Sequence, residues 1–294
     1  MIVISGSTGL IGSALVASLT ARGHEVRQLV RRTQRGGDEI TWHPDAGELD
    51  PRAFDGADAV IHLAGENIAQ RWTSGARQRI RDSRVHGTSL IARTIAALPR
   101  KPRALVNASA IGIYGDRGDE ELDEWSATGR GFLANVCREW EAATSAASDA
   151  GVRVAMLRTG VALSRGGGAL AKLLPPFRAG LGGRIGSGRQ WMSWIALSDL
   201  VRAVLHIVDD ETLAGPVDIV APNPVRNADF ARTLGRVLRR PAVIPLPGPA
   251  IRLLFGAMGV ETLLASQRVR PAKLLERGFA FEHPTLESAL RREI

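Results

Sequence analysis

The feature that most constrains this chain lies at its start. Met1 to Ser5 is an apolar run, Gly6-Ser7-Thr8-Gly9-Leu10-Ile11-Gly12 follows directly, and apolar residues then recur at helical spacing (Ile11, Leu15, Val16, Leu19) until Gly23. A second strand pattern, Glu25 to Val30, comes next. Strand, glycine-rich turn, helix and strand in that order form the opening unit of a dinucleotide-binding α/β fold. A backbone without Cβ can turn tightly and approach a pyrophosphate, whose charge then faces free N–H groups at the helix start. Gly6, Thr8, Gly9, Leu10, Ile11 and Gly12 are therefore the expected phosphate-binding residues.

The end of the second strand indicates which dinucleotide. An NAD site usually places a carboxylate there for the ribose hydroxyl, whereas this chain has Arg31 and Arg32. Guanidinium groups suit a dianionic 2′-phosphate, so the expected cofactor is NADP(H). The GxxGxxG spacing resembles the short-chain dehydrogenase/reductase superfamily. In that pattern the turn after the third strand, Leu63-Ala64-Gly65, passes over the adenine-ribose side of the cofactor. His62, inside an apolar run, reads as a packed strand residue.

Composition narrows the alternatives. The chain has 294 residues, 45% of them apolar and 23% charged, enough to build a core and too apolar for disorder. The one cysteine, Cys137, can form neither an intrachain disulfide nor a multi-cysteine zinc site, so no metal is expected and a reducing, cytoplasmic setting is. No stretch approaches a membrane span, and no secretory signal is expected. The net charge of +8 comes with scattered arginines and no interleaved aromatics, so neither nucleic acid nor membrane is expected as a partner. A small-molecule substrate and a homodimer are.

The chain lacks the proton-transfer pair that most of these enzymes carry, Tyr-x-x-x-Lys on a helix. The only tyrosine is Tyr114, with Gly118 four residues on, and the lysines at 101, 172 and 273 are preceded at that distance by Ala97, Gly168 and Val269. Phe132 and Val136 fall where the pair is expected. Three possibilities remain: another proton donor, a reaction needing none from that helix, or no catalysis. Ser109, Tyr114 and Glu66 are the candidates for proton exchange. Cys137 reads as a buried structural thiol.

With these residues in hand, the chain resembles a branch of the extended short-chain dehydrogenase/reductases, epimerase-family proteins described as cell-division-inhibitor-like, with a C-terminal domain of unknown function. The matching stretches include Gly6 to Gly12, His62 to Ile68, Phe132 to Glu141, Arg158 to Val161, Gly166 to Gly168, Gly186 to Ile195, Ala221 to Val225 and Gly278 to Phe281. The resemblance implies a Rossmann-type doubly wound parallel sheet binding NADP, a smaller lobe covering a substrate cleft, and sugar-nucleotide chemistry in name. By position it implies that Arg84 contacts the cofactor, that Val161 and Ala162 line the nicotinamide, and that Ser109 lies near the usual catalytic serine, one residue out of register.

Residues 1–160 are thus expected to form the NADP-binding domain and residues 161–294 an α+β substrate lobe, with segments interleaved. Glycine-dense residues 166–188, broken by Pro175-Pro176, read as loops around a cleft. Glu66, Asn67, Arg158, Gln190 and Trp191 are the expected substrate contacts, with Arg184, Arg189 and Trp194 nearby. Ser198-Asp199 and Asn227 read as helix caps, 249–265 as one helix, and Phe279 and Phe281 as one face of a short strand.

Overall fold

The computed structural model describes residues 1–294. The nucleotide-binding half runs β1 (Ile2–Ser5), α1 (Leu10–Ala21), β2 (Val26–Val30), β3 (Glu39–Thr41), β4 (Ala59–His62), α2 (Ser74–Ala97) and β5 (Ala104–Ala110). It continues through β6 (Glu121–Leu122), α3 (Phe132–Ala142), α4 (Ser145–Asp149), β7 (Arg153–Thr159) and β8 (Val161–Leu163). Then come α5 (Gly168–Arg178), β9 (Trp191–Met192), β10 (Trp194–Ala196), α6 (Leu197–Asp209) and β11 (Gly215–Ile219). The chain closes with β12 (Val225–Arg226), α7 (Asn227–Leu238), α8 (Gly248–Gly259), β13 (Arg268–Val269), α9 (Ala272–Glu276) and α10 (Leu286–Glu293).

Seven strands form one parallel sheet in the order β11-β7-β5-β4-β1-β2-β3, reversing direction of travel at β1, as in a doubly wound Rossmann fold. Alternation along the strands assigns the two faces. Ile2, Ile4, Ile61, Val106, Leu157 and Val217 pack with α1 and α6, while Val3, Val60, Leu105 and Val154 pack with α2 and α4. Both faces are covered, which is why these strands read as continuous apolar runs. Because α6 and β11 complete the sheet, the nucleotide-binding layer draws on residues beyond 160.

The buried polar residues of the sheet lie toward its C-terminal edge, in two register rows. Ser5, His62 and Asn107 are neighbours across β1, β4 and β5; Ser109, Arg158 and Asp218 are neighbours across β5, β7 and β11.

Several local expectations are corrected. Residues 168–178 are helical straight through Pro175 and Pro176, because Leu170, Leu174 and Phe177 bury one side of α5. The expected 249–265 helix breaks at Gly256 (φ 56°, ψ −140°) and resumes as a π-helical turn at Val260–Leu264. Residues 279–281 are not a strand; Phe279 and Phe281 still meet edge to face at 4.8 Å. Asn227 does not cap α7: it lies inside the helix and accepts a bond from Ile185 N at 2.7 Å. Asp199, fully buried in the first turn of α6, accepts from Glu282 N and His283 N and so ties the C-terminal segment down.

Candidate functional site

The turn after β1 is built for close approach. Gly6 has φ +73°, and a Cβ on it would lie 2.8 Å from Ala64 N and from Leu63 C. A Cβ on Gly12 would lie 2.1 Å from Gly6 O, so α1 can pack on the turn only without one. Gly9 N donates to Gly6 O at 3.0 Å. No side chain caps α1 and none in its first turn is acidic, which leaves main-chain donors and the positive end of the helix dipole open to an anion. Thr8 is exposed, Leu10 and Ile11 half-buried, and the 166–168 segment packs on Leu10.

At the end of β2 the two arginines differ. Arg31 is exposed and makes no side-chain bond. Arg32 forks onto Glu39 at 2.8 and 2.5 Å, and Glu39 also accepts from Arg35 N. The Arg32 guanidinium holds the Glu39 carboxyl below the usual carboxylate range. Glu39, on a β3 that the sequence reading lacks altogether, therefore partly neutralises one of the two expected phosphate ligands.

Opposite the glycine turn, Arg84 braces Leu63-Ala64-Gly65. Its guanidinium donates to Glu66 O and Ile80 O at 3.0 Å each, and lies 5.0 Å from the Trp140 ring centroid. A Cβ on Gly65 would come within 3.2 Å of it. Glu66 is half-buried, its N–H bonded to Ser83 Oγ and its Oε1 accepting from Gln70. Asn67 is exposed and closes its own turn by accepting from Ala69 N. His62 is fully buried, with Nδ1 2.5 Å from Ser5 Oγ, Nε2 unpartnered and its pKa lowered to about 3 by burial.

Ser109 and Tyr114 turn inward. Ser109 Oγ donates to Glu141 Oε1 at 2.7 Å, and Arg158 forks onto both Glu141 oxygens at 2.9 Å. Arg158 Nη1 also reaches Tyr114 Oη at 2.9 Å. The phenol is completely buried between that guanidinium, Asp123 O and the Asp218 carboxylate. Glu124 lies beyond, accepting from Asp218 N and Lys273 N.

Arg158 thus pairs with Glu141 directly and reaches Asp218 through the Tyr114 hydroxyl, in a buried cluster that Glu124 borders. Burial pushes Asp218 well above the usual carboxylate range, with Glu124 adding repulsion, and burial raises Glu124 as well. Burial likewise raises the Tyr114 phenol above its ordinary range, with the Asp218 charge adding to it. Burial opposes the charge on Arg158, but the paired bonds to Glu141 and the Tyr114 contact outweigh it. Cys137, buried beside this cluster, is pushed up to about 12 by burial, which suits an inert thiol.

The lobe residues are tied into structure. Val161 and Ala162 sit on β8, paired in parallel with β10, directly beyond the C-terminal end of β7. The buried Gln190 spends its amide on Ile185 O and Leu263 O, and Arg184 bonds Gly186 O and Ser187 O. Two guanidinium groups stack over Trp191, Arg226 at 4.2 Å and Arg268 at 4.8 Å, and its indole N–H donates to Asp119. Trp194 is core.

Phe132 starts α3 against Trp72, ring to ring at 4.9 Å. The two leading N–H groups of α3, on Phe132 and Leu133, donate to Glu261 at 3.1 and 2.9 Å. Sequence reasoning missed Glu261. It lies about 130 residues from the helix that it caps, where no spacing rule reaches.

Comparison with known proteins gives the family. The model of the NAD dependent epimerase/dehydratase family matches residues 2–220, and that of a domain of unknown function, DUF1731, matches residues 246–293. Epimerase family protein Mb2239 of Mycobacterium bovis is 45% identical over 291 residues, covering 99% of this chain and 96% of its own. The crystal structure of human epimerase family protein SDR39U1 with NADPH superposes with a TM-score of 0.91 at 37% identity, covering 99% of this chain and 98% of that one. A nucleoside-diphosphate sugar epimerase from Corynebacterium glutamicum gives a TM-score of 0.83 at 40% identity, covering 99% of this chain and 57% of that one. On the extent of these matches and the shared architecture, the chain belongs to the NAD dependent epimerase/dehydratase family.

Proposed function

We propose that this chain binds NADP(H) over the C-terminal ends of β1, β2 and β4 and acts as an oxidoreductase or epimerase on a small polar or nucleotide-sugar-like substrate. The observation that carries the reading is the uncapped start of α1 beneath a turn in which Gly6 and Gly12 leave no room for a Cβ. The cofactor named for the human relative and the activity named for the Corynebacterium relative support it.

Leu10, Ile11 and Gly12 would hold the diphosphate by main-chain N–H groups, since that of Gly9 is spent on Gly6 O, Arg31 would meet the 2′-phosphate, and Leu63 to Gly65, braced by Arg84, would wall the adenosine. Val161 and Ala162 would line the nicotinamide. A bound nicotinamide supplies hydride exchange. Of the proton-exchange candidates, Glu66 keeps a partly accessible carboxylate, whereas Ser109 and Tyr114 have their hydroxyls engaged below the cleft. In this reading Tyr114 and Arg158 position Glu141 and Ser109, and Glu66 accepts or returns the proton.

A second reading, a non-catalytic NADP(H) sensor, is favoured by those inward hydroxyls and by the missing Tyr-x-x-x-Lys pair. Calorimetric titration with NADPH and NADH, then absorbance at the nicotinamide band with carbonyl and sugar-nucleotide panels, separates the two. Preference for NADPH with turnover supports the enzyme. Tight binding without turnover selects the sensor, and uptake of neither nucleotide rejects both.

A further inference from the structure

Eight large apolar side chains are exposed on the whole molecule, and six of them fall between residues 243 and 260: Val243, Ile244, Leu246, Leu253, Leu254 and Val260. Leu253 is 82% exposed, Val243 78% and Leu254 62%. A seventh, Leu181, joins them, because the 182–186 strip is bonded to 244–246 through Ile244 N to Gly182 O and Leu246 N to Arg184 O. An apolar cluster of this kind on an otherwise charged surface marks a contact site.

The stretch of chain that carries it has charge of one sign. Between Asp229 and Glu261 the sequence contains no acidic residue and five arginines. Arg232 and Arg236 are paired with Asp229 and Glu287. Arg239, Arg240 and Arg252 are exposed and make no side-chain hydrogen bond or ion pair, as does Arg178 at the end of α5, next to the patch. Arg252, Leu253 and Leu254 are consecutive on α8, which Ile251, fully buried, anchors from the other side.

We propose that this face, the 243–254 segment with Leu181 and the unpaired arginines that accompany it, docks on an anionic lipid bilayer. Exposed leucines and valine would enter the headgroup–acyl boundary while the guanidinium groups meet lipid phosphates, the arrangement of an interfacial rather than a spanning element. No helix of the molecule is long and apolar enough to cross a membrane, and none is needed for this contact. The sequence expectation of no membrane partner rested on the absence of a span and on arginines scattered along the chain without interleaved aromatics. A second copy of the chain is a poorer occupant: a twofold interface would set the same arginines against each other with no carboxylate in the patch to offset them.

The test uses the full chain and vesicles of phosphatidylcholine alone or mixed with phosphatidylglycerol. Sedimentation with the anionic vesicles but not the neutral ones is expected, and it should be lost as salt rises from about 0.01 M to about 1 M. Leu253→Asp should weaken binding about tenfold or more. Arg239→Gln with Arg240→Gln should weaken it about fivefold per arginine. These sites are exposed, so circular dichroism should remain unchanged, and a Leu254→Trp reporter should shift its emission to the blue on anionic vesicles. The proposal is overturned by failure to sediment with anionic vesicles, equal binding to both compositions, or binding that these variants leave intact. A dimer in solution that shields α8 from hydrogen exchange would also overturn it, by giving the patch to a second copy.

Discussion

The hydroxyl of Tyr114 lies 2.9 Å from Asp218 Oδ2 and 2.9 Å from Arg158 Nη1, joining a residue just past β5 to adjacent residues of β7 and β11. The chain's single phenol therefore serves as the bridge of a buried ion cluster. Tyr114→Phe is expected to lower stability by about 1–3 kcal/mol, because it strips a partner from two buried polar groups. NADPH affinity should be unchanged. Thermal melts and calorimetry check this; unchanged stability with abolished turnover would instead place the phenol in the reaction.

Asp218 and Glu124 both have carboxyls raised in the folded state by burial. Folding therefore favours their protonated forms. The stability they contribute is complete below the unfolded carboxylate range, about 4, and declines as pH rises through the elevated folded values. Asp218→Asn should flatten the alkaline side of a plot of melting temperature against pH. A plot with unaltered slope would show that this carboxyl does not control it.

On the acid side the sign reverses. Burial lowers His62 from 6.5 to about 3, so its contribution is complete above 6.5 and lost as pH falls toward 3. His62→Gln, which cannot take up that proton, should move the acid unfolding midpoint to lower pH even where stability at neutrality is reduced. Tryptophan fluorescence during acid titration reads the midpoint.

Glu261→Ala removes the carboxylate that satisfies the Phe132 and Leu133 N–H groups. A loss of about 0.5–2 kcal/mol is expected, as for other N-terminal caps. Amide exchange should accelerate at Phe132 and Leu133 and in the 258–264 turn, but not in β1 or α1. Glu261→Gln, which retains an acceptor oxygen, should lose less.

Arg31→Glu is expected to weaken NADPH binding about tenfold or more by replacing a charge-assisted bond with repulsion, and to leave NADH binding nearly unchanged. Arg32→Gln should cost NADPH less, since that guanidinium already forks onto Glu39. Equal losses for both nucleotides would place the 2′-phosphate elsewhere.

The glycine turn, the apolar strands and the long α2 were legible because each is written in local spacing. A Cβ collision within the Gly6–Gly12 turn or a two-residue alternation along β1 involves near neighbours only. The 3-residue β3 carries no such pattern, and its Glu39 was invisible as the partner of Arg32 until the strand was paired. Pro175 and Pro176 argued for a loop and were overruled by the burial of Leu170, Leu174 and Phe177. Trp191 offered a flat surface in sequence, but Arg226 and Arg268, 35 and 77 positions away, already stack over its ring.

The order of residues alone determined the doubly wound sheet, the glycine cradle and the impossibility of a Tyr-x-x-x-Lys pair, because these follow from short-range periodicity or from counting. Folding decided which side chains remain available to a ligand. Ser109, Tyr114 and Arg158 became a buried cluster with Glu141 and Asp218, while Arg31, Arg239, Arg240 and Arg252 stayed exposed without a side-chain partner. Availability is a matter of dehydration and partner choice between residues distant in the chain, and both arise only when the strands and lobes are packed together.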